Sequence, residues 1–293
     1  MRFKGGVMEK LLPEYLKDFW QAVVRNEHTA EDYTREYDRA LAEYRQTWER
    51  ALILPAHQDL RQSLLAELGR YTQCADDAEV QRRCEQAVAS LKHEWENTVE
   101  PADPRSIERF YDESQAMLHE LTWWHTLGED ISPLAYVLAL RFAQQHGCQS
   151  YLDFGSGVGS GGLLFARHGF QATLADISSS LLGFSVWRLG IRKLPSRYID
   201  LKHALLPSQS FDVITAMDVF EHLTDPVEVV EKLWAALKPG GFLYARIAAE
   251  SDEDRPQHIV QDFEPTFERM RALGFVEIWR DEWLWGHQVF QKS

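Results

Sequence analysis

From about Val7 to Val99, apolar residues recur every three or four positions between charged ones, with almost no glycine, a period that predicts consecutive amphipathic helices. About four fit. The first spans Met8 to Asn26. The second opens at Thr29, whose hydroxyl suits an N-cap ahead of the acidic Glu31 and Asp32, and runs to about Arg50. Pro55 is expected to begin the third, and Asp76-Asp77 the fourth. Within the second, Tyr33, Tyr37, Tyr44 and Trp48 share one face, which reads as a packing stripe, with a ligand-facing aromatic wall as the alternative. Pro101 and Pro104 then interrupt the pattern and set a boundary between an N-terminal helical domain, residues 1–105, and a second domain, residues 106–293.

Helical patterns continue from Ser106 to about Leu121 and from Pro133 to about Gln145, on either side of Trp123-Trp124-His125. The period then shortens. Apolar runs at Ser150 to Phe154, Ala172 to Ala175, Phe211 to Met217 and Gly241 to Ile247 alternate with helical stretches. Those begin at about Ser160 and run over Ser178 to Leu189, Val227 to Leu237 and Pro265 to Leu273. This alternation predicts an α/β fold, a parallel sheet with crossover helices. Phe275 to Arg280 and His287 to Gln291 are too close together for a crossover, so they are expected to close the sheet as an antiparallel hairpin.

The chain has 293 residues, 45% of them hydrophobic, enough to bury a sizeable core. Its net charge of −14 repels phosphate backbones and disfavours nucleic acid as a partner. Cys74, Cys84 and Cys148 form neither a CxxC pair nor a zinc spacing, which fits a reducing cytoplasm and a cytoplasmic enzyme. No apolar run reaches the ~20 residues of a membrane span, and the charged start is not a signal peptide. Nowhere do His, Asp and Glu gather at ligand spacing along the chain, so no metal is expected.

Asp153-Phe154-Gly155-Ser156-Gly157-Val158-Gly159 closes one strand and opens a helix, where glycines let backbone amides approach a nucleotide-type ligand. Asp176 ends the next strand, twenty-one positions after Gly155, the reach of a carboxylate that accepts from ribose hydroxyls. Gly157, Gly159 and Gly162 also satisfy the dinucleotide pattern, so the loop alone does not choose between a nicotinamide dinucleotide and S-adenosylmethionine.

The order of the remaining pieces does. Asp153 before the glycines, Asp176, Asp200-Leu201, then Phe211-Asp212-Val213-Ile214 leading to Asp218-Val219-Phe220-Glu221-His222-Leu223, and Leu237-Lys238-Pro239-Gly240-Gly241, resemble the class I S-adenosylmethionine-dependent methyltransferases. Within these, the sequence is most similar to the ubiquinone-biosynthesis-type group of small-molecule enzymes. The resemblance covers residues 106–293 and leaves out the N-terminal helices. It implies a Rossmann-like, seven-stranded sheet of order 3-2-1-4-5-7-6 with the last strand antiparallel. The implied cofactor is S-adenosylmethionine, released as S-adenosylhomocysteine.

On that reading Gly155, Gly157 and Gly159 admit the methionine part of the cofactor and Asp153 contacts its ammonium directly or through water. Asp176 holds the ribose and Ile177 flanks the adenine. The resemblance further assigns Asp200 to the adenine amino group and Leu201 to a backbone contact with the ring, with a solvated loop acid as the other reading of Asp200. Met217 and Asp218 line the cofactor, Asp218 alternatively capping the following helix. His222 and His258 are the candidate bases or substrate-positioning groups, with a structural hydrogen-bonding role as the alternative for His222. Tyr111, Trp123, Trp124 and His125 belong to a helical lid or to the core, and Arg246 holds an acidic substrate or pairs with Glu250.

These observations imply methyl transfer to an oxygen, nitrogen, sulfur or carbon of a small metabolite. A non-methylating cofactor-binding protein, either a pericyclase or a regulatory module, is the alternative, followed by a nicotinamide-dependent oxidoreductase. The N-terminal helices are expected to shape the pocket, form a homodimer or bind a carrier protein.

Overall fold

A computed structural model describes residues 10–249, 254–260 and 262–293. The first predicted helix is α1, Leu12–Val24; the expected start at Met8 lies outside the described residues. Helix α2, Ala30–Leu52, opens where expected: the Thr29 hydroxyl accepts from the Asp32 amide at 3.1 Å, and the Asp32 carboxylate accepts from the Thr29 amide at 2.9 Å. Helix α3, Leu60–Thr72, does not begin at Pro55. Asp59 caps it instead, accepting from the Gln62 amide at 2.8 Å, because a carboxylate satisfies an amide that proline merely lacks. The expected fourth helix is two, α4, Asp77–Glu85, and α5, Ala87–Thr98, parted at Gln86, so five helices occupy this region. The helix expected over Ser106 to Leu121 is likewise split into α6, Pro104–Glu113, and α7, Ala116–Trp124.

A short turn over Ser132–Leu134 leads into α8, Ala135–Gln145, and from there strands and helices alternate. The strands are β1 (Ser150–Phe154), β2 (Gln171–Asp176), β3 (Ser196–Asp200), β4 (Phe211–Ala216) and β5 (Leu237–Ala245), with β6 (Phe275–Arg280) and β7 (Gln288–Lys292) forming the hairpin. Helices α9 (Ser160–Arg167), α10 (Ser179–Ile191), α11 (Pro226–Ala236) and α12 (Glu264–Leu273) connect them. The sheet order is β3-β2-β1-β4-β5-β7-β6, with β7 antiparallel to both β5 and β6, as expected from the sequence. No described helix is long and apolar enough to cross a membrane.

Two apolar layers flank the sheet. One, with Leu152, Ile214, Leu233, Leu243 and Met270, lies under α11 and α12. The other joins Tyr151, Leu164 and Leu174 to α8, α9 and α10 and continues into Leu16, Trp48, Leu52 and Leu64 of the N-terminal helices. The aromatic stripe of α2 is therefore packing: Trp48 is fully buried, its ring stacks on Tyr136 at 5.9 Å, and its indole donates to the His125 carbonyl at 3.1 Å.

Candidate active site

All five parallel strands end on one side of the sheet, and ligands of open α/β sheets bind beyond such carboxyl ends. A cavity of about 560 Å³ lies there, between β1, β2, β4 and β5 below and α6 and α7 above. Its floor is the glycine loop. Gly155 has φ +68°, and a Cβ on it would lie 2.5 Å from Val219 Cγ2, so no side chain fits. Gly157 has φ +50° and also lines the cavity, whereas Gly159, φ +74°, caps α9 away from it, where a Cβ would meet the Ser185 hydroxyl at 2.7 Å. The third glycine of the motif thus serves helix packing.

Asp176 joins Gly155 and Gly157 in the cavity wall, with Ile177 beside it. Its carboxylate accepts from the Gly157 amide at 2.7 Å and from the Ser178 amide at 2.8 Å, tying the end of β2 to the loop. Burial pushes its carboxyl up to about 6 against those hydrogen bonds. Asp153 lies one layer below. It is fully buried, accepts from the Gly162 amide at 2.9 Å and from the Thr215 hydroxyl at 3.1 Å, and is not part of the cavity wall. Burial pushes this carboxyl up to about 7, although Tyr151, Thr215, Gly162 and Tyr136 all stabilise its charge.

Asp200 and Leu201 also stand outside the wall. The Asp200 carboxylate accepts from the Ser179 hydroxyl at 2.6 Å and from the Lys202 amide at 3.0 Å, while the Leu201 amide donates to the Asp176 carbonyl at 2.9 Å. Met217 and Asp218 do line the cavity. Asp218 holds φ +48° and caps no helix, the following short turn being preceded by Val219; its carboxylate accepts from Arg246 at 3.2 Å. Arg246 is a lining residue too, and its expected partner Glu250 lies outside the described residues.

At the far end, the turn over Phe220–His222 meets the segment at residues 254–260. The Glu221 carbonyl accepts from the Ile259 and Val260 amides at 2.8 and 3.1 Å, which brings His258 to 4.9 Å from His222 between ring centroids. His222 Nδ1 donates to the Gln257 carbonyl at 3.0 Å, so in the neutral ring Nε2 is the basic nitrogen. Ligand-capable atoms of Glu221, His222 and His258 lie within 4.8 Å of one another. Spacing along the chain does not show this metal-capable group, because the two segments are remote in sequence and are brought together by the Glu221 carbonyl and by the His222 bond to Gln257.

Of the lid candidates, Tyr111, Trp124 and His125 line the cavity, and Trp123 does not. The Trp123 indole donates to Glu129 at 3.1 Å, and the Arg61 guanidinium sits 4.1 Å above its ring. The Tyr111 hydroxyl is buried beside the cavity with no hydrogen-bond partner among the described residues. Burial holds His125 down at about 3 and therefore neutral. Tyr136, Glu120, Arg255 and Trp285 also line the cavity and escaped sequence reading. Only Glu221, adjacent to His222, carried a local signal.

Residues 152–243 match a family model described as a methyltransferase domain. The chain is 33% identical over 152 residues to a ubiquinone biosynthesis O-methyltransferase of Albidiferax ferrireducens, covering 49% of this chain and 58% of that protein. It is 29% identical over 149 residues to the enzyme of the same name from Coxiella burnetii, covering 48% and 61%. The matched stretch thus spans about three-fifths of these relatives. Among solved structures, Haemonchus contortus phosphoethanolamine N-methyltransferase 2 with S-adenosyl-L-methionine is similar at TM-score 0.48 and 23% identity, over 58% of this chain and 44% of that one. The [4+2]-cyclase SpnF is similar at TM-score 0.42 and 23% identity, over 50% and 58%. The residues that match the methyltransferase-domain model run from within β1 to within β5 and hence contain the glycine loop and Asp176, and the sheet has the order that the resemblance to class I S-adenosylmethionine-dependent methyltransferases implied.

Proposed function

We propose that the protein transfers the methyl group of S-adenosylmethionine to a nucleophilic oxygen, nitrogen, sulfur or carbon of a small metabolite. One observation carries this reading: a single cavity joins Gly155, Gly157 and Asp176 to His222 and His258. Gly155 and Gly157 bring bare backbone to the cofactor, Asp176 accepts from its ribose, and Met217 and Asp218 border the sulfonium end. The acceptor's lone pair forms the new bond to the methyl carbon as the carbon–sulfur bond breaks, leaving the thioether S-adenosylhomocysteine. A proton on the acceptor passes to His222 Nε2 or to His258.

Glu221, His222 and His258 support a second reading of acceptor activation. One carboxylate and two imidazoles are a donor set suited to a divalent cation, which lowers the pKa of a bound hydroxyl. Activity that dies with chelator and returns with a divalent ion favours the cation; indifference to chelator favours the histidine base.

The deciding experiment incubates the protein with methyl-labelled S-adenosylmethionine and a small-molecule extract and reads products by mass spectrometry. A labelled metabolite establishes transfer and names the acceptor class. Cofactor binding by calorimetry without any labelled product, across extracts of varied origin, favours a non-methylating protein.

A further inference from the structure

Beneath the glycine loop lies a buried ionic cluster that the resemblance does not reach, because its carboxylate comes from the N-terminal helices. Glu67 of α3 is fully buried, and Arg188 of α10 is 1% exposed. The Glu67 carboxylate accepts from Arg188 Nε at 2.8 Å, from Arg192 Nη1 at 2.9 Å and from Arg192 Nη2. Burial opposes the charge on Glu67, but the two guanidinium groups outweigh it and hold the carboxyl below its ordinary value. Arg188 then reaches past Glu67 into the loop, its Nη1 donating to the Val158 carbonyl at 2.7 Å and to the Ser160 hydroxyl at 3.0 Å. One turn earlier on α10, Ser185 donates to the Gly157 carbonyl at 2.8 Å.

The same helices are fastened a second time. Arg192 Nη2 donates to the Leu52 carbonyl and Arg167 of α9 donates to the Ala51 carbonyl at 2.7 Å, both at the C-terminal end of α2, where unpaired carbonyls favour cations. The helices on either side of the loop are thus each anchored to the N-terminal region. Neither Arg188 nor Ser185 lines the cavity.

We propose that Glu67 and Arg188 are positioning residues through which α3 fixes the cofactor loop, so that the N-terminal helices are part of the cofactor site. This rests on the cofactor reading above. Glu67 fixes the Arg188 side chain, and Arg188 holds the Val158 carbonyl and Ser160 hydroxyl from behind, leaving the front of Gly155 and Gly157 to the ligand. A residue with a purely structural role would alter global stability and leave loop order and cofactor affinity in step with it.

The test compares wild type with Glu67→Gln, Arg188→Lys and Ser160→Ala in the full chain. It measures native-state amide exchange of residues 155–160 against strand 211–216, and S-adenosylmethionine affinity by calorimetry. Expected are a loop exchange rate raised at least tenfold relative to the strand in Glu67→Gln and Arg188→Lys, and a Kd raised about tenfold at a temperature where both melt cooperatively. If those two fail to fold, Ser160→Ala, which removes one Arg188 contact, is expected to raise loop exchange and Kd about threefold. Loop and strand exchanging in parallel with an unchanged Kd, in whichever variants fold, overturns the proposal. Wild type that does not bind S-adenosylmethionine at all overturns the cofactor reading instead, and the exchange data still judge the clamp.

Discussion

The cavity has two ends built by different means. At the proposed cofactor end, the turn over Gly155–Gly157 and one acid at the end of the next strand form the wall, and Asp176 is tied to the turn through the Gly157 amide. At the proposed acceptor end, a turn after β4 and a segment after β5 are joined by the Ile259 and Val260 amides on the Glu221 carbonyl and by His222 on the Gln257 carbonyl. The first end is a local motif with a fixed geometry; the second is a tertiary assembly.

The sharpest break in that contrast comes from removing both histidines. His222→Ala with His258→Ala is expected to lower kcat by roughly 10²–10⁴, the range for general acid–base groups, with cofactor Kd changed less than about threefold. Equal losses in kcat and affinity would show that these rings serve the cofactor. At the other end, Gly155→Ala forces a Cβ to 2.5 Å from Val219 Cγ2 at φ +68°, and on the order of a hundredfold loss of affinity is expected, read by calorimetry. An unaffected Kd would mean that the ligand does not approach this backbone. Asp176→Ala should follow, at ~1–3 kcal/mol of binding free energy, because the ribose hydroxyls and the Gly157 amide both lose a partner.

The same division decided what the sequence made legible. Strand β1 read true because it is a short, fully buried run that ends at the glycine turn, β6 because it lies too close to the next run for a crossover, and the glycine loop because its signal is contiguous. Strand β3 offered no such run: Ser196–Asp200 sits at the sheet edge, half-buried, with Arg197 and Tyr198 in its middle, and only the family resemblance supplied its place in the order. Strand β5 begins earlier than its apolar run, at Leu237, since pairing with Phe211 across a bulge recruits Lys238-Pro239-Gly240. Tyr136 carries no local pattern, and although Glu221-His222 and His258 are each marked locally, their meeting is not, because it depends on the chain folding back on itself. The anchoring of α2 and α3 is invisible for the same reason, since a buried Glu67 in an amphipathic helix looks like any surface acid.

Asp153 sharpens the comparison from beneath the cofactor end. Its folded value, pushed up to about 7 by burial, lies above the unfolded one, so the native state holds its proton longer, and stability is lost as pH rises from about 4 through about 7. Asp153→Asn cannot ionise. Across that window the wild type is expected to lose ~4 kcal/mol relative to Asp153→Asn, seen as converging or crossing melting curves. Parallel curves would show that the carboxylate is already ionised at low pH, as a group directly facing the cofactor ammonium in open solvent would be.

The smallest effect is expected at Asp200, and it tests how far the cofactor end extends. Asp200 pairs in register with Asp176 across β2 and β3, so sequence position alone sets the two acids side by side. The structure separates them: Asp176 faces the cavity, while Asp200 turns to the Ser179 hydroxyl and the Lys202 amide. Burial opposes its charge, but Ser179 and Lys202 outweigh that and hold the carboxyl below its ordinary value. Asp200→Asn keeps the shape and one acceptor oxygen, so the cofactor Kd is expected to change by less than about threefold, under 1 kcal/mol. A tenfold loss in Asp200→Asn, matched by a loss of discrimination between adenosine and inosine forms of the cofactor, would assign it to the adenine after all. In that case binding would have to draw β3 and its loop toward the cavity, and the cofactor end would no longer be the preformed half of the site.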